Sequence, residues 1–450
     1  MDILIKIAQL FLCFTILVGI HELGHFLMAR AFKIRVEKFY IFFDPWFSLF
    51  KFKRGNTEYG LGWLPLGGYV KIAGMIDESM DKEQMKQPVK PDEFRAKPAW
   101  QRLLVMVAGV MMNVLLAIVI YCAVCYTWGD SYFSNQDAKW GYNFNPTAHE
   151  MGFRDGDRFV SIDGEEIDNV MRVQNDLLIT DGGRRVIVER GGEPVTLDIP
   201  FESLLRMRQE KAYEDLFTLR LPFIVDSVSY TSAVEAGLES GDEVVAIDDL
   251  RDADYPRYRD YLQKHKNDKV LLTVRRDGAL IDSLALPVDA EGRIGVTVTN
   301  PYSLRTQYYT FWESIPAGIH KAGKTISSYW DQLKLIVQPK TKMYEELGGF
   351  VAIGSIFPSS WDWHDFWLKT AFLSIILAVM NLLPIPGLDG GHALFTLWEI
   401  ITRRKPSEKF LEVAQYVGLM IILALLVYAN GNDICLLYTS DAADDLIGVD

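Results

Sequence analysis

The feature that most constrains this chain is an apolar stretch near its amino terminus that ends in a polar motif. Fourteen uncharged residues, 7–20, are followed directly by His21 and Glu22 and, after two more residues, by His25. With its flanks the stretch covers about residues 3–29, and about 20 apolar residues suffice to cross a bilayer. Ionisable side chains there cost about 2.5–3.5 kcal/mol each to insert. We therefore predict a membrane-spanning helix whose ionisable groups have a functional reason to be there.

The spacing of these residues predicts a metal site. On a helix, residues i and i+4 lie on one face, so His21 and His25 can hold one metal ion. Glu22 lies one position further round the helix and can accept a proton from an attacking water. The alternative is a signal-like helix with incidental histidines, but no small-residue cleavage site separates the motif from the apolar stretch. The pattern favours a catalytic zinc centre with Glu22 as the base.

Three further charge-free stretches favour a multi-pass membrane protein. They cover residues 103–129, 370–388 and 413–432, and each is near the length that crosses a bilayer. The remaining residues are mixed in character, so the 450-residue chain is expected to combine membrane and soluble parts. We predict an α-helical core of about four spans, with a first helix at 1–30, a second at 100–129, a third segment at 367–392 and a fourth helix at 411–433.

Lysine and arginine near the span ends predict the orientation. They cluster after the first span, before the second span, and between the third and fourth spans. The positive-inside rule then puts the loops 31–99 and 393–410 on the cytoplasmic side and residues 130–366 on the opposite side. The formal net charge of −13 argues against a nucleic-acid partner.

Cysteine usage gives no sign of a disulfide framework. Cys13, Cys122 and Cys125 fall inside predicted spans, and Cys435 follows the last one. Cys122 and Cys125 form a CxxC pattern, but in an apolar helix without a second pair we interpret them as packing residues.

The last residues of the chain differ from the rest in composition. From about residue 434 the sequence changes from apolar and aromatic to acidic and small. We interpret 434–450 as a non-native tail and base no functional argument on it.

Two histidines leave a catalytic zinc site incomplete, because such sites usually have three protein ligands and one open position. Asp389 is the candidate third ligand, since it lies at the end of the third apolar stretch, where two prolines break the helix. The predicted orientation brings this point and the end of the first span to the same face of the membrane. Asp389 could instead cap the next helix through Gly390. His392 is a second candidate ligand, or a group behind the ligands.

At this point the chain resembles the site-2 protease family of intramembrane zinc metalloproteases. The resemblance covers nearly everything up to the tail and rests on four elements: HELGH at 21–25, NxxPxPxLDG at 381–390, GxxxN at 109–113, and the glycine pair at 67–68. It implies zinc held by His21, His25 and Asp389, with Glu22 activating water. It also implies a set of substrate-binding residues, namely Asn381, Gly67, Gly68 and Asn113.

Each amide in this set has a simpler structural interpretation. Asn381 in an apolar span could make an interhelical hydrogen bond worth about 0.6–2 kcal/mol. Asn113, four residues after Gly109, also suits plain helix packing.

Residues 59–72 are rich in aromatic and β-branched residues separated by glycines, which is typical of strands. We predict a membrane-associated β-hairpin within 31–99, beside the first helix. Its strand edge could hold an unwound substrate, because hydrolysis needs an extended peptide bond that a helix hides. Alternatively, the hairpin only anchors the protein at the membrane interface through Trp63 and Tyr69.

The outer region repeats itself with a period of 85 residues. AHEMGFRDGD at 148–157 aligns with AVEAGLESGD at 233–242, and each is followed by an apolar strand. The repeated pattern resembles tandem PDZ domains, and the resemblance implies two PDZ-like α/β domains, at 130–219 and 220–307. We predict that an amphipathic helical segment follows at 308–366. Neither repeat has an obvious carboxylate-binding loop, so a steric role is at least as well supported as peptide binding.

The resulting prediction is a zinc-dependent intramembrane endopeptidase that cleaves single-span membrane proteins. By resemblance, its partners are a pre-trimmed anti-sigma factor, which has already been cut on its outer side, remnant signal peptides and membrane lipid. The resemblance also implies the bacterial inner membrane, with the PDZ-like domains on the periplasmic side. Two alternatives remain at this level: a non-catalytic scaffold, and a membrane-tethered protease that acts on soluble peptides.

Overall fold

The computed structural model describes residues 2–64, 67–75, 88–213, 215–251 and 254–447. It divides into two compact units, a first unit of Met1–Asp130 with Tyr308–Asp450 and a second unit of Ser131–Gln307. The helices in the described residues are α1 (Asp2–Ala31), α2 (Ala99–Trp128), α3 (Pro146–Glu150), α4 (Val173–Leu178), α5 (Phe201–Gln209), α6 (Thr231–Glu235), α7 (Tyr255–Lys264), α8 (Phe311–Val337), α9 (Phe350–Ser355), α10 (Trp363–Leu382), α11 (Asp389–Thr402) and α12 (Glu408–Ile447).

The strands of the described residues form several small sheets. They are β1 (Val36–Ile41), β2 (Phe50–Arg54), β3 (Thr57–Leu61), β4 (Tyr69–Ile72), β5 (Asp130–Tyr132), β6 (Tyr142–Phe144), β7 (Arg158–Ile162), β8 (Glu165–Glu166), β9 (Arg184–Arg190), β10 (Glu193–Ile199), β11 (Phe217–Leu219), β12 (Phe223–Val228), β13 (Glu243–Ile247), β14 (Leu250–Arg251), β15 (Lys269–Arg276), β16 (Ala279–Pro287), β17 (Val296–Val298) and β18 (Arg305–Gln307).

Four helices of the described residues are long and apolar enough to cross a membrane: α1, α2, α10 and α12. The predicted core of about four spans is therefore confirmed at the level of length and composition. The last candidate span covers Lys409–Ile434, and α12 continues through the tail to Ile447. Residues 448–450 of the predicted tail lie outside the described residues.

Helix α2 is the centre of the first unit, since α1, α8, α10 and α11 all pack against it. Gly24 lets α1 approach closely, because a Cβ there would lie 2.4 Å from the Ala108 carbonyl oxygen. On the α10 side, Ser374 Oγ donates a hydrogen bond to the Asn113 carbonyl at 2.8 Å. These contacts bring the end of α1 and the end of α10 to the same part of α2.

The predicted hairpin at 59–72 is wrong in its pairing. Strands β3 and β4 do not pair with each other; both pair with β1, β3 in parallel and β4 antiparallel, in a sheet of order β2-β3-β1-β4. Seven residues, 62–68, separate β3 from β4, whereas hairpin loops usually have two to five. A two-residue turn instead joins β2 to β3, which pair antiparallel.

The third predicted segment is also divided differently. Helix α10 ends at Leu382, and α11 begins at Asp389, so 367–392 is not one element. The predicted loop 393–410 is mostly helical, because α11 continues to Thr402. Arg102 of α2 donates to Glu399 of α11 at 2.6 Å, and Ala393 of α11 is buried. Packing against α2 therefore stabilises a helix where the basic residues that follow it had suggested a loop.

The predicted amphipathic segment at 308–366 begins with α8, which ends at Val337. Two short 3₁₀ turns and α9 follow it. Small residues of α8 are its contact face: a Cβ on Gly318 would lie 2.5 Å from Cys122 Sγ, and Ala322 is buried. Trp312 and Ile319 point outward, with exposed fractions of 77% and 51%.

In the second unit, elements recur at the 85-residue spacing of the sequence repeat. Helix α3 corresponds to α6, β7 to β13, β8 to β14 and β9 to β15. Each repeat has its own buried cluster, one around Phe159 and Val186 and the other around Val244 and Leu272. After β17 the chain returns to the first repeat, where Tyr302 stacks edge-on against Phe133, earlier than the expected boundary at 307.

Candidate metal centre

Three metal-binding side chains converge at the end of α1. His21 and His25 lie one turn apart, with their Nε2 atoms 3.3 Å from each other. Asp389 Oδ2 lies 3.0 Å from His21 Nε2 and 3.2 Å from His25 Nε2. Both histidines are buried and Asp389 is half-buried. Among the described residues this is the one group of three such side chains whose donor atoms could hold a metal ion.

The donor triangle fits a tetrahedral zinc ion. Ligand atoms about 2.0–2.1 Å from a tetrahedral zinc lie about 3.3–3.4 Å from one another, close to the three separations observed. Asp389 Oδ2 is buried, and none of the described residues has a proton donor aligned to it, although both imidazoles lie beside it. Two imidazole nitrogens and one carboxylate oxygen are ordinary zinc ligands, and the fourth position remains for water or substrate.

The geometry does not favour the two alternatives, in which Asp389 caps the next helix and His392 is a metal ligand. Asp389 is the first residue of α11, the cap position is held by Leu388, and no side chain caps this helix. His392 lines a cavity together with His21, His25 and Asp389, but it does not belong to the group of three converging donors.

The loop between α10 and α11 carries Asp389 to the imidazoles. The loop folds back over the start of α11, so that a Cβ on Gly390 would lie 2.3 Å from the Leu383 carbonyl oxygen. A Cβ on Gly391 would lie 2.5 Å from the Ile385 carbonyl oxygen. Only glycine permits both approaches, which explains why the ligand is followed by two glycines.

Helix α2 supports the two imidazoles from behind. The Val105 carbonyl accepts a hydrogen bond from His25 Nδ1 at 2.8 Å, which leaves His25 Nε2 with a free lone pair. Gly109 follows one turn later, and a Cβ there would lie 2.4 Å from His25 Nε2 and 2.7 Å from His21 Cε1. The GxxxN element therefore makes room for the ligands.

The predicted substrate-binding role of Asn113 is not supported by its position. Asn113 is fully buried, and its side-chain nitrogen lies 3.3 Å from His21 Nδ1, on the side of the ring away from Asp389. It does not line the cavity at the metal centre. Helix packing holds Asn113 behind the ligand rather than at the cavity, and its substrate-binding role stays a prediction.

Glu22 lines a cavity of about 760 Å³, which is also lined by both histidines and Asp389. Strand β4 forms one wall of this cavity, and Gly67 and Gly68 lie at its start. A Cβ on Gly68 would lie 2.7 Å from Val18 Cγ1 and 3.1 Å from Glu22 Cγ, so glycine lets the backbone lie against α1. Gly67 has φ +143°, a conformation that favours glycine. Gly68 thus lies beside the catalytic helix, and the substrate-binding role of both glycines stays a prediction.

Asn381 lies at the end of α10 and lines the cavity. Its side-chain nitrogen is 3.4 Å from His21 Nε2, the nitrogen that faces the metal position. Unlike Asn113, it is half-buried and can be reached from the cavity.

Two residues of the last span contribute to the site and were not predicted. Gln415 is buried, with an exposed fraction of 7%, and lines the cavity. One turn later, Gly418 packs on the loop that carries Asp389, where a Cβ would lie 1.3 Å from the Pro386 carbonyl oxygen. One sequence feature could have predicted them: an amide and a glycine lie three residues apart in the apolar stretch 413–432, a spacing that places both on one helix face.

Comparisons with known proteins agree with this geometry. Residues 9–425 match the family model described as Peptidase family M50. A relative from Clostridium perfringens, named as a zinc metalloprotease, is 30% identical over 94% of this chain and 96% of its own length. A second, from Haemophilus influenzae, is a regulator of sigma E protease that is 27% identical over 96% of this chain and 99% of its own length.

A third relative, from Xylella fastidiosa and also named as a zinc metalloprotease, is 27% identical over 96% of this chain and 99% of its own length. The matched residues include all three donors and Glu22. The resemblance to the site-2 proteases, the zinc cofactor and the metalloendopeptidase activity are thereby confirmed. The chain is a multi-pass membrane zinc metalloendopeptidase that belongs to peptidase family M50.

Proposed function

We propose that this chain cleaves the transmembrane segments of single-span membrane proteins. The observation that carries the proposal is the position of the site: three zinc ligands and Glu22 share one cavity between α1, α2 and the α10–α11 loop, and these helices are long and apolar enough to cross a membrane. A protease for soluble peptides has no need of a site walled by membrane-spanning helices.

Catalysis follows from the groups around the cavity. When bound, zinc supplies a Lewis acid that polarises the scissile carbonyl and the attacking water. Glu22 accepts the proton of that water and passes it to the leaving amine. Asn381, beside His21, is placed to donate its amide hydrogen to the substrate carbonyl.

The substrate is expected to bind as an added strand. Strand β4 is an edge strand of the sheet, and it lines the cavity that contains Glu22. A peptide extended along β4 would gain main-chain hydrogen bonds and expose its scissile bond. Gly67 and Gly68 would let it approach α1. This role replaces the predicted hairpin edge with the edge of a four-stranded sheet.

For the second unit we propose a pair of PDZ-like domains that select substrates by size. Supporting features are the duplicated strand and helix order and the absence of an obvious carboxylate-binding loop in either repeat. The proposal includes a pre-trimmed anti-sigma factor and remnant signal peptides as substrates. It also places the protein in a bacterial inner membrane, with the second unit on the periplasmic side.

The experiment is cleavage of a single-span substrate by the purified protein in lipid vesicles. We expect Glu22→Gln to slow cleavage by about 10²–10⁴-fold, because a general base contributes that much. The exposed Asp331, a carboxylate on α8, provides the matched control Asp331→Asn, which should cleave at the wild-type rate. Equal rates for Glu22→Gln and wild type would refute the mechanism. Faster cleavage of a soluble peptide of the same sequence would refute the proposed substrate class.

A further inference from the structure

The side chain of Asn113 has one hydrogen-bonding contact within the described part of the chain, and that contact is a zinc ligand. Its Nδ2 position lies 3.3 Å from His21 Nδ1. The other amide position, Oδ1, is buried and has no hydrogen-bond partner among the residues that the structure describes. Asn113 itself has an exposed fraction of 0%. His21 is therefore the group that determines which of the two amide atoms faces the imidazole.

Zinc binding fixes the tautomer of His21. The Nε2 atom faces Asp389 and His25, so Nε2 must offer its lone pair to the metal. A neutral imidazole that binds metal through Nε2 carries its hydrogen on Nδ1. An amide N–H facing that hydrogen would place two donors opposite each other. Rotating the amide by 180° instead brings its oxygen, which is an acceptor, to the same position.

We propose that Asn113 is a positioning residue whose side-chain oxygen accepts the Nδ1 hydrogen of His21 and so holds Nε2 towards the zinc. The inference rests on the proposed site and deepens it. Helix α2 then orients both ligands in the same way: the Val105 carbonyl accepts from His25 at 2.8 Å, and Asn113, two turns later, accepts from His21. Gly109, midway between them, leaves room for the two rings.

The arrangement explains why an amide lies buried in an apolar helix. Without an acceptor, the Nδ1 hydrogen of His21 would be buried and unpaired, which is unfavourable. The ring would also be free to turn. An acceptor at position 113 removes both effects, and partners of this kind typically change metal affinity by about 10–100-fold.

The test measures zinc affinity of the purified full-length chain by competition with a chelator. Asn113→Leu, which removes the acceptor, is expected to weaken zinc binding by about 10–100-fold. Asn113→Asp keeps an oxygen and removes every N–H of the side chain, so it should stay within about threefold of wild type, as in carboxylate–histidine–zinc triads. Gln9→Leu is the matched control, because it also removes a fully buried amide from a membrane-spanning helix, one that donates to the Pro358 carbonyl; it should leave zinc affinity unchanged.

Two outcomes would overturn the proposal. If Asn113→Asp lost as much zinc affinity as Asn113→Leu, the amide N–H would be the necessary group. If Asn113→Leu kept its zinc and only raised KM, the residue would serve the substrate, as the family resemblance implies.

A measurement on the wild type covers the case in which a variant fails to fold. Magnetic resonance of the zinc-loaded protein labelled with ¹⁵N in histidine should show hydrogens on Nδ1 of both ligands, and an unprotonated Nδ1 on His21 would contradict the proposal. Failure of the proposed protease function is separable, because zinc affinity is measured without substrate. A wild type that binds zinc as expected but cleaves nothing would reject the function alone.

Discussion

At the scale of single residues, Gly109 is the position on which the spacing of the ligands depends. It lies between the partners of the two imidazoles on α2, and both rings occupy the space that a Cβ would need. Any side chain there would compete with the rings for space.

We expect Gly109→Ala to displace the ligands, because its Cβ would lie 2.4 Å from His25 Nε2. A displacement of about 1 Å at a catalytic centre can cost roughly 100-fold in rate, so cleavage should fall by that order and zinc affinity should fall with it. Gly323→Ala on α8, where an added Cβ meets nothing within 4 Å, is the control and should behave as wild type. Unchanged zinc affinity in Gly109→Ala would show that the rings do not use this space.

A second residue-scale prediction concerns Asp242 in the second unit. Burial alone would raise the pKa of the Asp242 carboxyl, but hydrogen bonds from Arg276 and from the Glu239 amide hold the pKa below the ordinary aspartate range. A lowered pKa in the folded state means that the stabilisation is present above the ordinary pKa, about 3.9, and is lost as the pH falls.

In urea unfolding of a 131–307 fragment, Asp242→Asn should therefore lower the midpoint at pH 7, and the difference from wild type should shrink towards pH 3. The exposed pair of Asp198 with Arg185 supplies the control Asp198→Asn, which should change little at either pH. A midpoint difference that does not depend on pH would contradict this account.

At the scale of elements, the site requires α12 to touch the loop that carries Asp389. Gly418 makes this contact, since the Pro386 carbonyl occupies the space that a side chain would need. Gln415, on the same helix face, thereby reaches the cavity.

We expect Gly418→Ala to push α12 away from the loop and to destabilise the protein by about 1–3 kcal/mol, as overpacking usually does. The measurement is thermal unfolding in detergent. Gly431→Ala on the same helix, where an added Cβ meets nothing within 4 Å, should be neutral or slightly stabilising. Equal melting temperatures for the two variants would mean that α12 does not rest on the loop.

At the scale of the whole molecule, every group of the metal centre belongs to the first unit. The chain leaves and re-enters this unit through paired strands: β5 pairs with β18, and Ser131 Oγ lies 3.0 Å from Thr306 Oγ1. A short linker can therefore replace the second unit.

We expect a chain in which a linker of about four residues replaces 131–307 to keep zinc affinity within about threefold of the full chain. Ser131 and Thr306 are neighbours, so the two cut ends lie within reach of a short linker. If the second unit selects substrates by size, this chain should also cleave untrimmed single-span substrates that the full chain leaves intact. Loss of zinc from a shortened chain that retains its helical circular dichroism would show that the centre depends on the second unit.

The sequence by itself determined the local parts of this protein. The i, i+4 spacing of His21 and His25, the lengths of the apolar stretches and the 85-residue repeat are set along one helix or one stretch of chain, so they can be read without a fold. Asp389 was also predictable, because prolines and glycines around it mark a broken helix. Only the tertiary structure decided that β3 and β4 pair with β1, that 389–402 is helical, and that Asn113 stands behind a ligand while Gln415 faces the cavity. These depend on which helices and strands touch, and such contacts between distant residues are fixed by packing rather than by any local pattern.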